Sequence, residues 1–215
     1  MYPLKFEYHK ASSVAEAISM LNEHDGAKVL AGGHSLIPAM KLRLSDPSVL
    51  VDIGRIDELH GISTSNGSVS IGGLTTHSDL AVSKVVPVGL SEAAGMVADL
   101  QVRNRGTIGG NVAHADPASD LPSTLVALGA SFQISGATGN RTVSAVDFFT
   151  GMFETDLTDG EILTAVEVAA EQAGTGSAYS KLFNPASGYA MVGVAAVVTI
   201  DAGKCTAASV ALGGL

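Results

Sequence analysis

The chain has 215 residues, of which 46% are apolar and 5% aromatic, so it can fill the core of one large domain, or of one domain and part of another. Its formal net charge of −9 disfavours nucleic acid or an anionic membrane surface as a partner, because its 12 Lys and Arg residues are scattered along the sequence. An anionic ligand would therefore be held mainly by backbone amides.

The N-terminal region predicts a helix that precedes the first buried strand. Residues 1–9 contain no apolar signal core, and no apolar run reaches the ~20 residues that cross a bilayer, so we expect a cytoplasmic protein. Ser13 and Glu16 form a capping-box pattern, and the apolar residues that follow up to Leu21 have helical spacing. This helix should end at the turn formed by residues 24–26.

The next segment predicts a binding site for an anion. The apolar residues 29–31 form a short strand that runs directly into Gly32 and Gly33, and a helix should begin near Ser35. Glycine allows positive φ and close approach of the backbone to a ligand. Pro38 is compatible with the first helical turn, whose free amides suit a phosphate. A plain tight turn fits the same residues, because neither a G-x-G-x-x-G pattern nor a Walker A lysine is present.

Two α/β units are expected, and both begin in the first half of the chain. Residues 49–53 form another short apolar strand, which gives residues 1–57 a helix–strand–helix–strand order and room for half of a ligand. A second unit should begin near Gly61, with a hairpin turn at Asn66 and Gly67. Helical spacing follows at residues 76–83 and 87–98.

A second glycine loop resembles the first in pattern. It begins at Gly106 and runs to Pro122, which is again placed in the first turn of an expected helix over residues 121–128. Two loops of this type in one domain predict a single long anionic ligand.

The rest of the sequence predicts strands. These are residues 132–134, 142–143 and 162–168, followed by a linker at 171–177 and a buried strand pair within 178–215. The last segment is short for an independent core, so we expect the chain to stop inside a second domain. Cys205 is the sole cysteine, which excludes an internal disulfide and an iron–sulfur cluster held by this chain. Its strand pattern predicts that it is buried.

Four motifs in order carry a resemblance to a known family. They are AGGHSL at 31–36, VRNRGTIGGN at 102–111, ADPASD at 115–120 and GEIL at 160–163. Together they resemble the FAD-binding medium subunit of the molybdenum hydroxylases, of the aerobic carbon monoxide dehydrogenase type and related to the flavin domain of xanthine dehydrogenase. The resemblance covers essentially the whole chain.

The resemblance implies an α+β fold of the vanillyl-alcohol-oxidase (PCMH) type, in which two subdomains clasp FAD. The FAD-binding domain would span 1–176, with subdomains of about 1–57 and 58–176. Residues 177–215 would begin a C-terminal domain of the carbon monoxide dehydrogenase flavoprotein type. Because the family's subunit continues beyond this strand pair, we expect a shortened chain or a reduced C-terminal domain.

The resemblance also implies which residues hold FAD, and it implies no catalytic side chain and no metal ligand, because FAD supplies the redox chemistry. The implied cofactor-binding residues are Leu30, Ala31, Gly32, Gly33, His34, Ser35, Leu36, Ile37, Thr107, Ile108, Gly109, Gly110, Asn111, Asp120, Leu163 and Lys181.

The function implied is that of an oxidoreductase subunit in an electron relay. In the family, a large subunit with the molybdenum cofactor oxidises the substrate, and a small subunit carries [2Fe-2S] clusters. The flavin subunit takes electrons from those clusters and passes them to an external acceptor, within a dimer of heterotrimers. The sequence identifies neither the substrate nor the acceptor.

Other interpretations fit parts of the pattern. A free-standing FAD-dependent oxidoreductase would need acid/base residues in a substrate pocket, and a non-redox nucleotide-binding module would need the glycine loops alone. His34 and His114 suit ordinary solvated or backbone-bonded histidines at least as well as ligand contacts. A metal site at His114, Asp116 and Asp120 is a weaker alternative, and Arg103 and Arg105 suit either a phosphate or solvent.

Overall fold

A computed structural model describes residues 1–214 as an α+β protein with four sheets. The helices are α1 (Val14–Glu23), α2 (Leu36–Lys41), α3 (His77–Val82), α4 (Val88–Met96), α5 (Leu100–Arg103), α6 (Ile108–His114), α7 (Asp120–Ala127) and α8 (Ala145–Phe148). The strands are β1 (Glu7–Lys10), β2 (Lys28–Leu30), β3 (Val49–Asp52), β4 (Ile62–Ser65), β5 (Ser68–Gly72), β6 (Ser131–Gly136), β7 (Gly139–Ser144), β8 (Phe149–Gly151), β9 (Glu154–Thr155), β10 (Ile162–Ala169), β11 (Thr175–Phe183), β12 (Ala190–Asp201) and β13 (Lys204–Gly213).

The first unit is a parallel sheet with strand order β1-β3-β2. Its helix α1 begins as expected, because the Ser13 side chain accepts a hydrogen bond from the Glu16 amide at 3.1 Å. Ala17, Val51 and Leu59 belong to its core. The parallel arrangement places the chain segments after β2 and β3 at one edge of the sheet, where ligands bind in folds of this kind.

The second unit is built on an antiparallel sheet with strand order β4-β5-β10-β6-β7. Asn66 and Gly67 both have positive φ, 51° and 77°, which confirms the hairpin turn between β4 and β5. Phe132 and Phe148 are fully buried in its core and meet edge to face, with ring centroids 4.6 Å apart. Helices α4, α6 and α7 contribute buried residues to the same core.

The third sheet, with strand order β11-β12-β13, packs against α4 and α7. Tyr179 and Ala195 join the core of the second unit, so this sheet is bound closely to it. Gly89 allows the approach, because a Cβ there would lie 3.0 Å from the amide nitrogen of Ala178. The expectation that Cys205 is buried is wrong: the residue is exposed, because consecutive residues of this part of β13 are exposed and neither face of the strand is covered there.

Other details also differ from the sequence expectations. β11 begins at Thr175, inside the segment interpreted as a linker. The strand β1 has no apolar pattern and was not expected from the sequence; its backbone pairs with β3. No helix among the described residues is both long and apolar enough to span a membrane.

Candidate functional site

The first glycine loop leaves a row of backbone donors free. Within residues 1–214, the consecutive amides from Gly32 to Leu36 donate no hydrogen bond to the protein, and the Ser35 side chain does not cap α2. Gly33 has a φ of 75°, which an L residue adopts only with strain, and its carbonyl accepts the Ile37 amide at 3.1 Å. Unpaired amides that converge at a loop are suitable donors for an anion.

The two glycine loops meet, as the single-ligand prediction requires. Gly32 lies against the backbone before the second loop: a Cβ at this position would be 2.8 Å from the carbonyl carbon of Arg105 and 2.9 Å from the Cα of Gly106. A Cβ on Gly110 would lie 3.9 Å from the Ala31 Cβ. Gly32 is therefore required by contact between the loops themselves.

The second loop differs from the first in that most of its amides are already bonded. The Ile108 amide donates to the Thr75 carbonyl at 3.0 Å, and the Gly109 amide donates to the Gly73 carbonyl at 2.9 Å. The Gly110 amide donates to the hydroxyl of Thr107, which caps α6, at 3.2 Å. The second loop, which was predicted to hold the same anionic ligand as the first, therefore has few free amides, and its glycines serve mainly close packing.

Asn111, the last predicted residue of the second loop, is also engaged. Its side-chain amide nitrogen and oxygen lie 2.8 Å and 2.9 Å from the Ser119 hydroxyl. This pairing holds the loop to the segment that leads into α7. Gly110 is the exposed member of the predicted set in this loop.

A cleft of about 290 Å³ opens beside the first loop. Gly32 and Gly33 line it together with Asp52, Arg55 and Arg105. Sequence reasoning did not identify Asp52 and Arg55, although their position at and just beyond the carboxyl end of the parallel strand β3 is a usable signal. The cleft thus combines glycine backbone, one acidic group and two cationic groups.

Arg103 does not lie among the residues that line this cleft. Its guanidinium donates to the carbonyls of Val97 at 2.8 Å and Ala98 at 2.9 Å, just beyond the end of α4. Of the two arginines considered for phosphate binding, Arg103 is therefore structural, whereas Arg105 faces the cleft.

Asp120 and Lys181 come together in a buried ion pair. The Lys181 ammonium donates to Asp120 at 2.9 Å and to the Met96 carbonyl at 3.1 Å, and the two side chains are 3% and 5% exposed. The Tyr179 hydroxyl donates to the other carboxylate oxygen at 2.6 Å. Burial raises the pKa of Asp120, and the bonds from Tyr179 and Lys181 oppose that rise. Burial and the Asp120 carboxylate raise the pKa of Tyr179.

This cluster joins the third sheet to the N-terminus of α7. Tyr179 and Lys181 are two residues apart on β11, so their side chains share one face of the strand. Sequence reasoning did not identify Tyr179, although its spacing from Lys181 is a signal. A Cβ on Gly193 would lie 3.1 Å from the Tyr179 ring, so the glycine leaves room for that ring.

Leu163 is 6% exposed and lies next to Gly73, which in turn contacts the second loop. Its carbonyl oxygen would lie 2.6 Å from a Cβ on Gly73, whose own carbonyl accepts the Gly109 amide. The structure therefore places Leu163 behind the loop.

His77 lies directly beneath the junction of the loops. Its amide donates to the Gly106 carbonyl at 3.0 Å, and a Cβ on Gly106 would lie 2.8 Å from the ring. The side chain is 3% exposed, and its Nδ1 atom has no hydrogen-bond partner among the described residues. Burial, followed by the nearby charges of Arg103 and His34, lowers the pKa of His77 to about 4. Its ring is therefore neutral near pH 7.

The other two histidines of interest have ordinary surroundings. His34 is exposed, and the ring of His114 lies 5.2 Å from that of Phe153. Within residues 1–214, no three His, Cys, Asp or Glu side chains form a group that could hold a metal ion.

Comparisons with known proteins agree with these features. Residues 4–170 match a family described as the FAD binding domain in molybdopterin dehydrogenase. The chain is 46% identical over 202 residues to the carbon monoxide dehydrogenase medium chain of Hydrogenophaga pseudoflava, covering 92% of this chain and 70% of that protein. It is 42% identical over 219 residues to the glyceraldehyde dehydrogenase medium chain of Sulfolobus acidocaldarius, covering 100% and 77%.

Solved structures show the same similarity in three dimensions. Carbon monoxide dehydrogenase from Hydrogenophaga pseudoflava superposes with a TM-score of 0.95 at 44% identity, covering 99% of this chain and 76% of that one. Quinoline 2-oxidoreductase from Pseudomonas putida 86 gives a TM-score of 0.93 at 38% identity, covering 100% and 75%.

Proposed function

This chain belongs to the FAD-binding medium subunits of the molybdenum hydroxylases, and from that premise we propose that it carries electrons from the [2Fe-2S] clusters of a small partner subunit to an external acceptor. A large partner subunit would hold the molybdenum cofactor and oxidise the substrate, in a dimer of heterotrimers. The relatives are subunits of carbon monoxide and glyceraldehyde dehydrogenases, which supports a place in such a complex.

The row of unpartnered amides from Gly32 to Leu36 is the observation that carries this proposal. A flavin dinucleotide contains a diphosphate, which these amides can bind without any change in the loop's own hydrogen bonds. The residues present therefore fit FAD. When bound, FAD supplies the electron-transfer chemistry, and the chain binds and orients it.

We propose that the residues implied by the family resemblance hold the cofactor, with different roles in the two loops. The first loop, residues 30–37, would donate amides, while residues 107–111 would provide a packed wall against it. Asp120, Leu163 and Lys181 would support the site from behind, since all three are buried. The close contact of Gly32 with Arg105 and Gly106 supports a single ligand that spans both loops.

We also propose the fold and domain limits as an FAD-binding domain of the vanillyl-alcohol-oxidase (PCMH) type at 1–176, divided near residue 57, and a further domain that begins at 177. Two core clusters, one around Val51 and one around Phe132, support the division near 57, and the first is completed by Leu59, Leu74 and Ile162 from the second range. The last residue of the second range, Leu215, lies outside the described residues.

The proposal is tested by reconstituting this chain with its partner subunits and adding the substrate of the complex under anaerobic conditions. The visible absorption of the flavin should bleach after that of the [2Fe-2S] clusters, and electrons should then reach an added acceptor. A complex assembled with FAD-free chain should reduce its clusters but not the acceptor. Equal acceptor reduction with and without FAD in this chain would refute the relay.

A further inference from the structure

Of the five arginines of the chain, two have protein partners among the described residues and three have none. Arg103 is bonded to the carbonyls of Val97 and Ala98, and Arg141 is paired with Asp156 and Glu161. Within residues 1–214, neither Arg55 nor Arg105 has a carboxylate within ion-pair distance. Both are exposed. Arg43 has no carboxylate partner either, but Arg55 and Arg105 are the unpaired arginines that line the cleft.

Both free arginines line the cleft beside the first glycine loop, and they reach it from different units of the fold. Arg55 follows β3 of the parallel sheet, whereas Arg105 directly precedes the second loop and contacts Gly32 through its backbone. Two arginines and two of the residues with unpartnered amides, Gly32 and Gly33, thus line one cleft.

The acidic group in the same cleft does not neutralise Arg55. The Asp52 carboxylate accepts hydrogen bonds from the Tyr8 hydroxyl and, at 2.8 Å, from the Gly54 amide. Both donors are neutral groups, and within residues 1–214 Asp52 forms no ion pair with Arg55. Asp52 therefore shapes the segment that carries Arg55 and leaves the charge of that arginine available.

We propose that Arg55 and Arg105 form a pair of cationic contacts for the FAD diphosphate, one from each unit of the fold. The inference rests on the proposed function and adds two residues to the cofactor site. The amides of the first loop are neutral donors, and the chain has a net charge of −9, so a dianionic diphosphate needs local positive charge. A guanidinium binds phosphate oxygens through paired N–H groups.

The arrangement also assigns a consequence to cofactor binding. Because Arg55 and Arg105 belong to different units, a diphosphate that contacts both holds the two units together at the cleft. Loss of either arginine should lower the binding affinity of any ligand that contains this diphosphate, whatever other groups the ligand has.

The test uses the full 215-residue chain freed of cofactor, with FAD and ADP as separate probes. Arg55→Gln and Arg105→Gln should each weaken FAD binding at least about tenfold, because each removes a charge-assisted hydrogen bond to the diphosphate. The affinity for ADP, which shares the diphosphate but lacks the flavin, should fall by a similar factor in both variants. Arg43→Gln, an equal charge change outside the cleft, is the matched control and should bind FAD as the wild type does.

Salt titration provides a second measurement that does not depend on the absolute affinity. Each glutamine variant should show a shallower loss of FAD affinity with rising ionic strength, since fewer charges contact the ligand. If either variant binds FAD within about twofold of the wild type and with the same salt dependence, the pair of contacts is refuted. Failure of the wild-type chain to bind FAD would instead refute the proposed function.

Discussion

Acidification should destabilise this protein through one buried histidine. His77 is 3% exposed, and its pKa is lowered from 6.5 to about 4, with burial as the largest cause. Between these two pH values His77 binds a proton in the unfolded chain but not in the folded one. The contribution of its neutral form to the free energy of unfolding is therefore fully present above pH 6.5 and is lost as the pH falls towards 4. The difference corresponds to a loss of ~3 kcal/mol in the free energy of unfolding by about pH 4.

Urea unfolding at a series of pH values from about 4 to about 8 measures this loss. His77→Gln should lower stability at neutral pH, because the ring packs against Gly106, but it should flatten the slope between 4 and 6.5. His60→Gln, at an exposed histidine, is the control and should keep the wild-type slope. A wild-type slope in the His77 variant would show that this histidine does not titrate on unfolding, and the reasoning would fail.

Two substitutions test how the site is assembled. Gly32→Ala should lower the free energy of unfolding by about 3 kcal/mol and remove most of the FAD affinity, because its Cβ would push into the backbone before the second loop. Gly176→Ala, where a Cβ meets nothing within 4 Å, is the control and should change neither quantity. Urea unfolding and FAD titration measure the two quantities. Lys181→Met should cost ~3–5 kcal/mol in urea unfolding, because Asp120 stays buried without its cation. Adding Asp120→Asn should recover part of that loss, and no recovery would contradict the ion-pair argument.

The local elements that the sequence predicts are those whose signals are carried by neighbouring residues. The cap at Ser13, the hairpin at Asn66 and Gly67, and the strand–glycine–helix order near Gly32 were all predicted and are present. Each depends on backbone preferences within a few residues, which a single sequence displays directly.

The second loop could not be predicted in the same way. Its amides at Ile108 and Gly109 are taken by the carbonyls of Thr75 and Gly73, more than thirty residues earlier in the chain. A glycine pattern does not reveal which amides a distant segment has already satisfied. The two loops share a sequence pattern but have different roles. The amides of the first loop are free to bind a ligand, whereas most of those in the second are bonded within the protein.

Strands at the edges of the sheets were also poorly predicted from the sequence. β1 is a polar strand whose pairing with β3 depends on the backbone, so no apolar pattern marks it. Cys205 shows the opposite error, since its strand pattern suggested burial whereas both faces of β13 are uncovered around the residue. Arg55 was overlooked because its importance depends on the cleft, which forms when distant segments meet.

Residue-resolved amide hydrogen exchange, with and without FAD, tests most directly whether the first loop holds the cofactor. In the FAD-free chain the amides from Gly32 to Leu36 should exchange fast, because they have no partner, while those of Ile108 and Gly109 should already be protected. FAD should slow exchange at several amides of the first loop and leave those two nearly unchanged. Stoichiometric FAD binding without any added protection from Gly32 to Leu36 would contradict the account.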